Sequence, residues 1–308
     1  MKIAVVGAGF VGATTAQRLA ERNLGDVVLY DIVEGLPQGK ALDMMESAPL
    51  CGFESRVLGT NDPKDLSGSE IVVVTSGIAR QPGMSRDDLL ERNAGIVASV
   101  AGHLREQAPQ AIVIVVTNPV DVLTHLVAVK VGMSKERVFG MGGILDSARF
   151  RHFIAIELGV AQADVDAMVL GGHGDDMVPL PRFATVSGVS VETLLSGEQI
   201  QKLVARTREG GAEIVRYLKK GSAYYAPSAA IAQMVESVVR DQKRLLPCSV
   251  WCSGQYGITG QFAGLPVILG RSGVEKIVEL PLSANELKEL QASGAHVAAN
   301  VAKLQLAG

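Results

Sequence analysis

The sequence reads as an α/β protein: a doubly wound parallel sheet in the first half, then an α+β half built around antiparallel strands. Three observations predict this. Six short apolar runs, most of them rich in β-branched residues, fall within residues 2–141. They are mostly continuous rather than alternating in polarity, the mark of strands buried on both faces. Helical patterns separate most of them, and parallel strands need such crossovers.

The runs are "KIAVVG" (2–7), "VVLYD" (27–31), "RVLG" (56–59), "IVVVT" (71–75), "AIVIVVT" (111–117) and "RVFGM" (137–141). The helical stretches are "GATTAQRLAERNLG", "GLPQGKALDMMESAP" and "RDDLLERNAGIVASVAGHLREQAP". Beyond the Gly-Gly step after the sixth run the pattern changes. "DVDAMVLG" and "MVPLPRFATVSG" read as antiparallel strand material, helices are expected over 197–220 and 226–240, "LPVILG" and "GVEKIVEL" read as two short strands, and a last helix starts at Ser283. No repeat, low-complexity segment or flexible linker is evident. The division expected at Gly142–Asp146 yields units of 1–144 and 145–308.

A chain of 308 residues is twice a typical domain, and 47% hydrophobic residues supply an ample core. The net charge of −3 offers no electrostatic case for nucleic acid or an anionic membrane, and 4% aromatic content disfavours base stacking. Cys51, Cys248 and Cys252 are odd in number and lack zinc spacing, and the latter two lie in apolar "LLPCSVWCSG". Buried reduced thiols in a reducing, cytoplasmic compartment are the expectation. Met1 and Lys2 lead directly into a strand-like run, so no signal peptide is expected, and the apolar runs are too short to span a bilayer. Cysteines and histidines show no ligand grouping, so no metal is expected.

"GAGFVG" (7–12) ends the first strand and opens the first helix. Gly7 permits the tight turn, Gly9 lets a pyrophosphate approach the backbone and Gly12 lets the helix pack on the sheet, as in a Rossmann nucleotide-binding fold. Ala8, Phe10 and Val11 complete the loop, whose amides at a helix N-terminus favour an anion. Asp31 ends the next strand nineteen residues after Gly12, close to the expected spacing of about 20. Its carboxylate accepts ribose hydroxyls and repels a 2′-phosphate, and "YDIVEG" has no adjacent cation. NAD is expected rather than NADP.

"SGIARQPGMSRDDLLERN" (76–93) follows the fourth strand at the carboxyl edge, where ligands bind in such sheets. Arg80 and Arg86 flank a Pro-Gly turn. They are either surface cations or part of a lid that closes on an anion. Ser85 before acids reads as a helix cap. In "GGILDSARFRHF" (142–153), Asp146 and Ser147 either cap a helix or serve a site; Arg149, three residues on, shares a helix face with Asp146. Asn118 in "TNPVD" (117–121) ends the fifth strand, either as a plain turn or as an amide offered to a substrate oxygen or ribose. His173 sits between glycines in "GGHGDDM". Those glycines suit close approach to a bound nicotinamide and a small substrate, and an imidazole exchanges a proton near neutral pH. Asp146 is the candidate partner that fixes its tautomer. A hydride would then leave carbon for the cofactor while the hydroxyl proton goes to His173.

The ordered series "GAGFVG", "YD", "ARQPGMSRDDLLERN", "VTNPVD", "LDSARFR", "GGHGDDMVPL" and "GSAYYAPSAAIAQMVESV" spans essentially the whole chain. It resembles the NAD-dependent malate dehydrogenases of the lactate-dehydrogenase-like branch. The resemblance implies reversible oxidation of (S)-malate to oxaloacetate, with citric-acid-cycle type metabolism as the setting. It implies that Gly7 to Gly12 and Asp31 bind NAD, and that Asn93, Val116, Thr117 and Asn118 line the nicotinamide side. It further implies that Asn118 touches substrate, Arg149 clamps the C1 carboxylate and Arg86 polarises the carbonyl. His173, held by Asp146, takes the proton, and Arg80 reads the second carboxylate. Ala223 departs from the threonine of many lactate-type relatives, leaving Ser222 as the nearby hydroxyl. The extra N-terminal arm of vertebrate lactate dehydrogenases is also missing from the pattern.

Three other functions fit the residues less well. A lactate dehydrogenase would leave Arg80 without a partner. An NAD-dependent glycosidase would need a metal site. A non-catalytic nucleotide-binding regulator would not need Asp146, Arg149 and His173 together. The expected partner is a small dicarboxylate, with no nucleic acid and no membrane. Apolar faces on "ALDMMESAP" and "FRHFIAIELG" suit either core packing or pairing in a homodimer or homotetramer.

Overall fold

The structure is a computed structural model that describes residues 1–78 and 84–304. The first half runs β1 (Lys2–Val6), α1 (Phe10–Glu21), β2 (Asp26–Tyr30), α2 (Leu36–Cys51), β3 (Val57–Thr60), β4 (Ile71–Val74), α3 (Arg86–Gln107), β5 (Ile112–Val115), α4 (Val120–Val131) and β6 (Val138–Gly140). The second half runs α5 (Gly143–Leu158), β7 (Val165–Asp166), β8 (Val169–Gly171), β9 (Met177–Pro179), β10 (Thr185–Val186), β11 (Val189–Ser190), α6 (Val191–Leu194), α7 (Gly197–Leu218), α8 (Tyr225–Val239), β12 (Arg244–Ser253), β13 (Thr259–Gly270), β14 (Gly273–Ile277) and α9 (Ala284–Lys303).

The six expected strands form a parallel array in the order β3-β2-β1-β4-β5-β6. The connection reverses direction between β1 and β4, so a crevice opens at the carboxyl ends of those two strands. Alternate residues feed opposite faces: Ile3 and Val5 join one core layer, Ala4 and Val6 the other. All four residues of β4 and of β5 are buried, which explains their unbroken apolar runs. Each such valine or isoleucine contributes about 1.5–3 kcal/mol by leaving water. Ser85 caps α3 as its sequence predicted, with Ser85 and Asp88 exchanging side-chain and main-chain hydrogen bonds.

The second half departs from expectation in one respect. "LLPCSVWCSG" forms a long strand, β12, and "LPVILG" is only the end of β13. The β12–β13 hairpin joins β6 antiparallel at Ser249–Gly140, so β12, β13 and β14 extend the parallel array into one nine-stranded sheet. Five consecutive residues of β12, from Leu246 to Val250, are buried, so the strand lacks the alternation that would have marked it. Helix α4 was likewise unread, because nearly all of its residues are buried and no polar face remains. The short strands β7 to β11 make two small antiparallel sheets packed beside α5 and α7. No helix among the described residues is long and apolar enough to cross a membrane.

Candidate active site

The phosphate loop is held by exclusion. Gly7 has a φ of 104°, and a side chain there would lie 2.7 Å from the Ser76 amide nitrogen. A side chain at Gly12 would meet the Gly7 carbonyl oxygen at 1.8 Å. At Gly9 a side chain would meet nothing within 4 Å, so this is the open side of the cradle. Gly9 is also the N-cap of α1, and no side chain caps that helix. Its first amides are therefore available to an anion, and the loop fits a dinucleotide pyrophosphate. Asp31 bridges back to the loop: Oδ2 accepts from the Ala8 amide at 2.6 Å and Oδ1 from the Val33 amide at 2.9 Å. Phe10 projects outward and stacks on Tyr224, with ring centroids 5.2 Å apart.

One cation near this loop was not anticipated. Lys40, on α2, donates to the Ala8 carbonyl at 2.7 Å and lies over the Phe10 ring. "YDIVEG" holds no lysine, but one turn into the following helix brings Lys40 back to the strand end.

The second group of candidates gathers where α4, α5 and the β8–β9 loop meet. Asp146 is 1% exposed, and it holds two side chains at once. Its Oδ2 pairs with His173 Nδ1 at 2.7 Å, and its Oδ1 accepts from Arg149 Nη1 at 3.1 Å. With Nδ1 engaged by Asp146, Nε2 is the ring's other nitrogen. Burial opposes charge on this ring, but the charge and hydrogen bond of Asp146, with a smaller contribution from Asp121, outweigh it. The imidazole pKa is raised above the ordinary value. Arg149 lies against Gly210 and Gly211 of α7, where a side chain at Gly210 would sit 3.0 Å from its Cδ. Its Nε is buried without a partner among the described residues. A guanidinium held by one nitrogen with an unpaired donor at Nε suits a carboxylate.

The remaining candidates are placed as follows. Asn93 is buried, and its amide is spent within the protein. It accepts from the Ile78 amide at 2.8 Å and donates to the Ile78 and Asn118 carbonyls at 3.2 and 2.8 Å. Thr117 donates to the Ser76 carbonyl at 2.7 Å, and Val116 is buried. Asn118 is exposed at the end of β5, in a cis bond to Pro119. Arg80 lies outside the described residues, as does the side chain of Arg86, although Arg86 begins α3. Ser147, the alternative cap, instead accepts from the Val169 amide at 2.9 Å.

The glycines before His173 serve a purpose the sequence did not disclose. A side chain at Gly172 would press on Ser293 Oγ at 3.3 Å and Asp121 Oδ2 at 3.5 Å, while at Gly174 it would meet nothing. The Gly172 amide donates to Ser293 Oγ at 2.7 Å, and the His173 amide donates to Asp121 Oδ2 at 2.9 Å. Neither Asp121 nor Ser293 stood out in the sequence. The one available signal was an acid in the first turn of the helix that follows "TNPV".

Comparison with known proteins identifies the family. Residues 1–140 match the family model "lactate/malate dehydrogenase, NAD binding domain", and residues 144–305 match "lactate/malate dehydrogenase, alpha/beta C-terminal domain". The chain belongs to the lactate/malate dehydrogenase family. A malate dehydrogenase of Methanosarcina mazei is 51% identical to this dehydrogenase over 306 residues, covering 99% of the chain and 100% of the relative. Among solved structures, the apo malate dehydrogenase of Picrophilus torridus is 47% identical with a TM-score of 0.96, covering 98% of this chain and 96% of the other. A Cryptosporidium parvum lactate dehydrogenase, solved with lactic acid and β-nicotinamide adenine dinucleotide, is 44% identical with a TM-score of 0.96, covering 100% and 98%. The dehydrogenase is therefore an NAD-dependent oxidoreductase with a Rossmann sheet.

Proposed function

We propose that the dehydrogenase interconverts (S)-malate and oxaloacetate with NAD, with His173 as the group that exchanges the proton. The observation that carries this reading is the single buried carboxylate of Asp146, bound at 2.7 Å to His173 and at 3.1 Å to Arg149. One anion thereby orients both a proton-transfer group and a substrate clamp. Full-length relatives named malate dehydrogenase support the same activity.

Bound NAD supplies the hydride acceptor for malate oxidation and, as NADH, the donor for oxaloacetate reduction. Gly7 to Gly12 would cradle its pyrophosphate and Asp31 would take its ribose hydroxyls, while Val116, Thr117, Asn118 and Asn93 would shape the nicotinamide side. Asn93 does so indirectly, by holding the Ile78 and Asn118 main chain. Arg149 grips the C1 carboxylate. His173 Nε2 receives the hydroxyl proton in oxidation and returns it in reduction, while Asp146 stabilises the imidazolium. Arg86 polarises the reacting carbonyl and Arg80 pairs with the second carboxylate.

On this proposal residues 1–144 form the cofactor domain, 145–308 form the substrate domain, and the chain works as a cytoplasmic homodimer or homotetramer. Exposed Leu42 and Leu50 on α2 and Ile156 on α5 supply apolar area for such pairing. A pyruvate-lactate activity is the second reading, because lactate dehydrogenases stand among structural neighbours of equal TM-score. NADH oxidation measured with oxaloacetate and pyruvate side by side separates the two. Strong preference for oxaloacetate is expected, and preference for pyruvate overturns the malate assignment.

A further inference from the structure

We infer that Asp121 is a positioning residue for proton transfer: it holds the main chain of His173 so that the ring stays in register with Asp146. The inference rests on the reading of His173 as the proton-exchanging group.

Asp121 occupies the first turn of α4 and is 5% exposed. The favourable end of the helix dipole lies there, which offsets part of the cost of burying a carboxyl. Its Oδ2 accepts from the His173 amide at 2.9 Å, across 52 residues of chain. Nothing in an ordinary loop demands such a partner. An exposed loop amide is satisfied by water, and here a buried acid is used instead.

The surrounding contacts indicate what the bond accomplishes. The preceding amide, Gly172, is held at 2.7 Å by Ser293 Oγ of α9. Two consecutive amides are thus fixed from two different helices. The N-terminus of α5 abuts the same residue, with a side chain at Gly142 placed 3.4 Å from His173 Cβ. The ring is fixed at Nδ1 by Asp146 of that same helix. Asp121 therefore joins the β5–α4 turn, which carries Asn118, to the histidine backbone. The substrate-facing end of the fifth strand and the proton-exchanging ring cannot move apart while this bond stands.

Asp121 has a second face. Ser249 of β12 lies close enough to act on the carboxyl, yet Asp121 Oδ1 and Ser249 Oγ are both buried without a well-formed hydrogen bond among the described residues. Burial pushes the Asp121 carboxyl up, against the opposing effects of Ser249 and the His173 amide. A polar group kept at that cost is not an economical way to fill space, since leucine would pack there without the desolvation penalty. The charged and titratable groups facing His173 are Asp146 and Arg149 from α5 and Asp121 from α4. Of these, Asp121 is the one that grips the backbone rather than the ring.

The test compares two near-isosteric variants in the intact enzyme. Asp121→Leu removes the acceptor and leaves the His173 amide unpaired; Asp121→Asn keeps a carbonyl oxygen in its place. A proton-transfer group displaced by about 1 Å loses on the order of 10²-fold in rate. We expect Asp121→Leu to lose at least about tenfold in kcat with the NADH dissociation constant unchanged, and Asp121→Asn to recover at least about fivefold of that loss. If leucine prevents folding, Asp121→Ala takes its place in the same comparison. Wild-type kcat in the variant lacking an acceptor, equal losses in both variants, or a loss of NADH affinity alongside kcat overturns the inference. His173→Asn run beside them keeps the two claims apart. If it turns over at the wild-type rate, the reading of His173 fails. If it is inactive while the Asp121 variants behave as wild type, only the role of Asp121 fails.

Discussion

The phosphate loop and the histidine loop both set glycines around a functional position, yet they are held by different means. In residues 7–12 the glycines exclude side chains from tight backbone contacts, with the Gly7 carbonyl 1.8 Å from where a Gly12 side chain would begin. Nearly everything the loop needs is written in six consecutive residues and the strands beside them. In residues 171–177 side chains from three helices do the holding. Asp121, Asp146, Ser293 and His296 reach in from α4, α5 and α9 to bond His173, Gly172 and Asp176. On the proposed function, the cofactor is served by a portable local cradle, and the proton-transfer group by convergence of distant chain.

The largest effect is expected at the centre of the convergent region. His173→Asn should lose roughly 10²–10⁴-fold in turnover while NADH fluorescence titration shows binding intact. Loss of both would mean that the two loops are not separable. The wild-type pH profile carries the same distinction. Because Asp146 favours the imidazolium, oxaloacetate reduction should decline as pH rises through a value above the ordinary histidine pKa of about 6.5. A decline centred below that value would show that burial, not Asp146, governs the ring.

Next in size is Arg80, in the basic segment "ARQPGMSR" of the sequence. Arg80→Gln should lower kcat/KM for oxaloacetate by about ten- to a hundredfold, the equivalent of about 1.5–3 kcal/mol for a charge-assisted hydrogen bond. It should modestly raise the value for pyruvate, which lacks the second carboxylate. Equal losses on both substrates would assign Arg80 to loop structure.

The phosphate loop offers the complementary test. Gly12→Ala places a methyl group against the Gly7 carbonyl and should weaken NADH binding by about tenfold or more, roughly 1.4 kcal/mol. Substrate discrimination between oxaloacetate and pyruvate should not change. If it does, the loop governs more than the cofactor. The smallest effect is expected at Asp31. Asp31→Ser removes a charge opposed to a 2′-phosphate and should narrow the preference for NADH over NADPH about fivefold, close to 1 kcal/mol in a solvated setting. A wild type that already prefers NADPH would contradict the assignment of this carboxylate.

The parallel strands, the capped start of α3, the tight glycine turn of residues 7–12 and the Asp146–Arg149 pairing were all legible in the residues, because each rests on patterns within a few positions of the chain. Burial on both faces leaves a continuous apolar run, Ser85 and Asp88 satisfy one another across one turn, and positions three apart on a helix are neighbours. The partnership of His173 with Asp146 was legible only as chemistry, an imidazole needing an acid; its distance came from the packing of α5 against β8. Other features had no local trace. Strand β12 shows no alternation because both its faces are covered, and α4 shows no amphipathic face for the same reason. Lys40 reaches the Ala8 carbonyl, Gly210 clears room for Arg149, and Asp121 and Ser293 hold the histidine backbone. These are contacts between segments 32 to 121 residues apart for the hydrogen bonds. Short-range periodicity cannot encode which distant side chain will arrive, because that depends on how the layers pack, and packing is a property of the whole core.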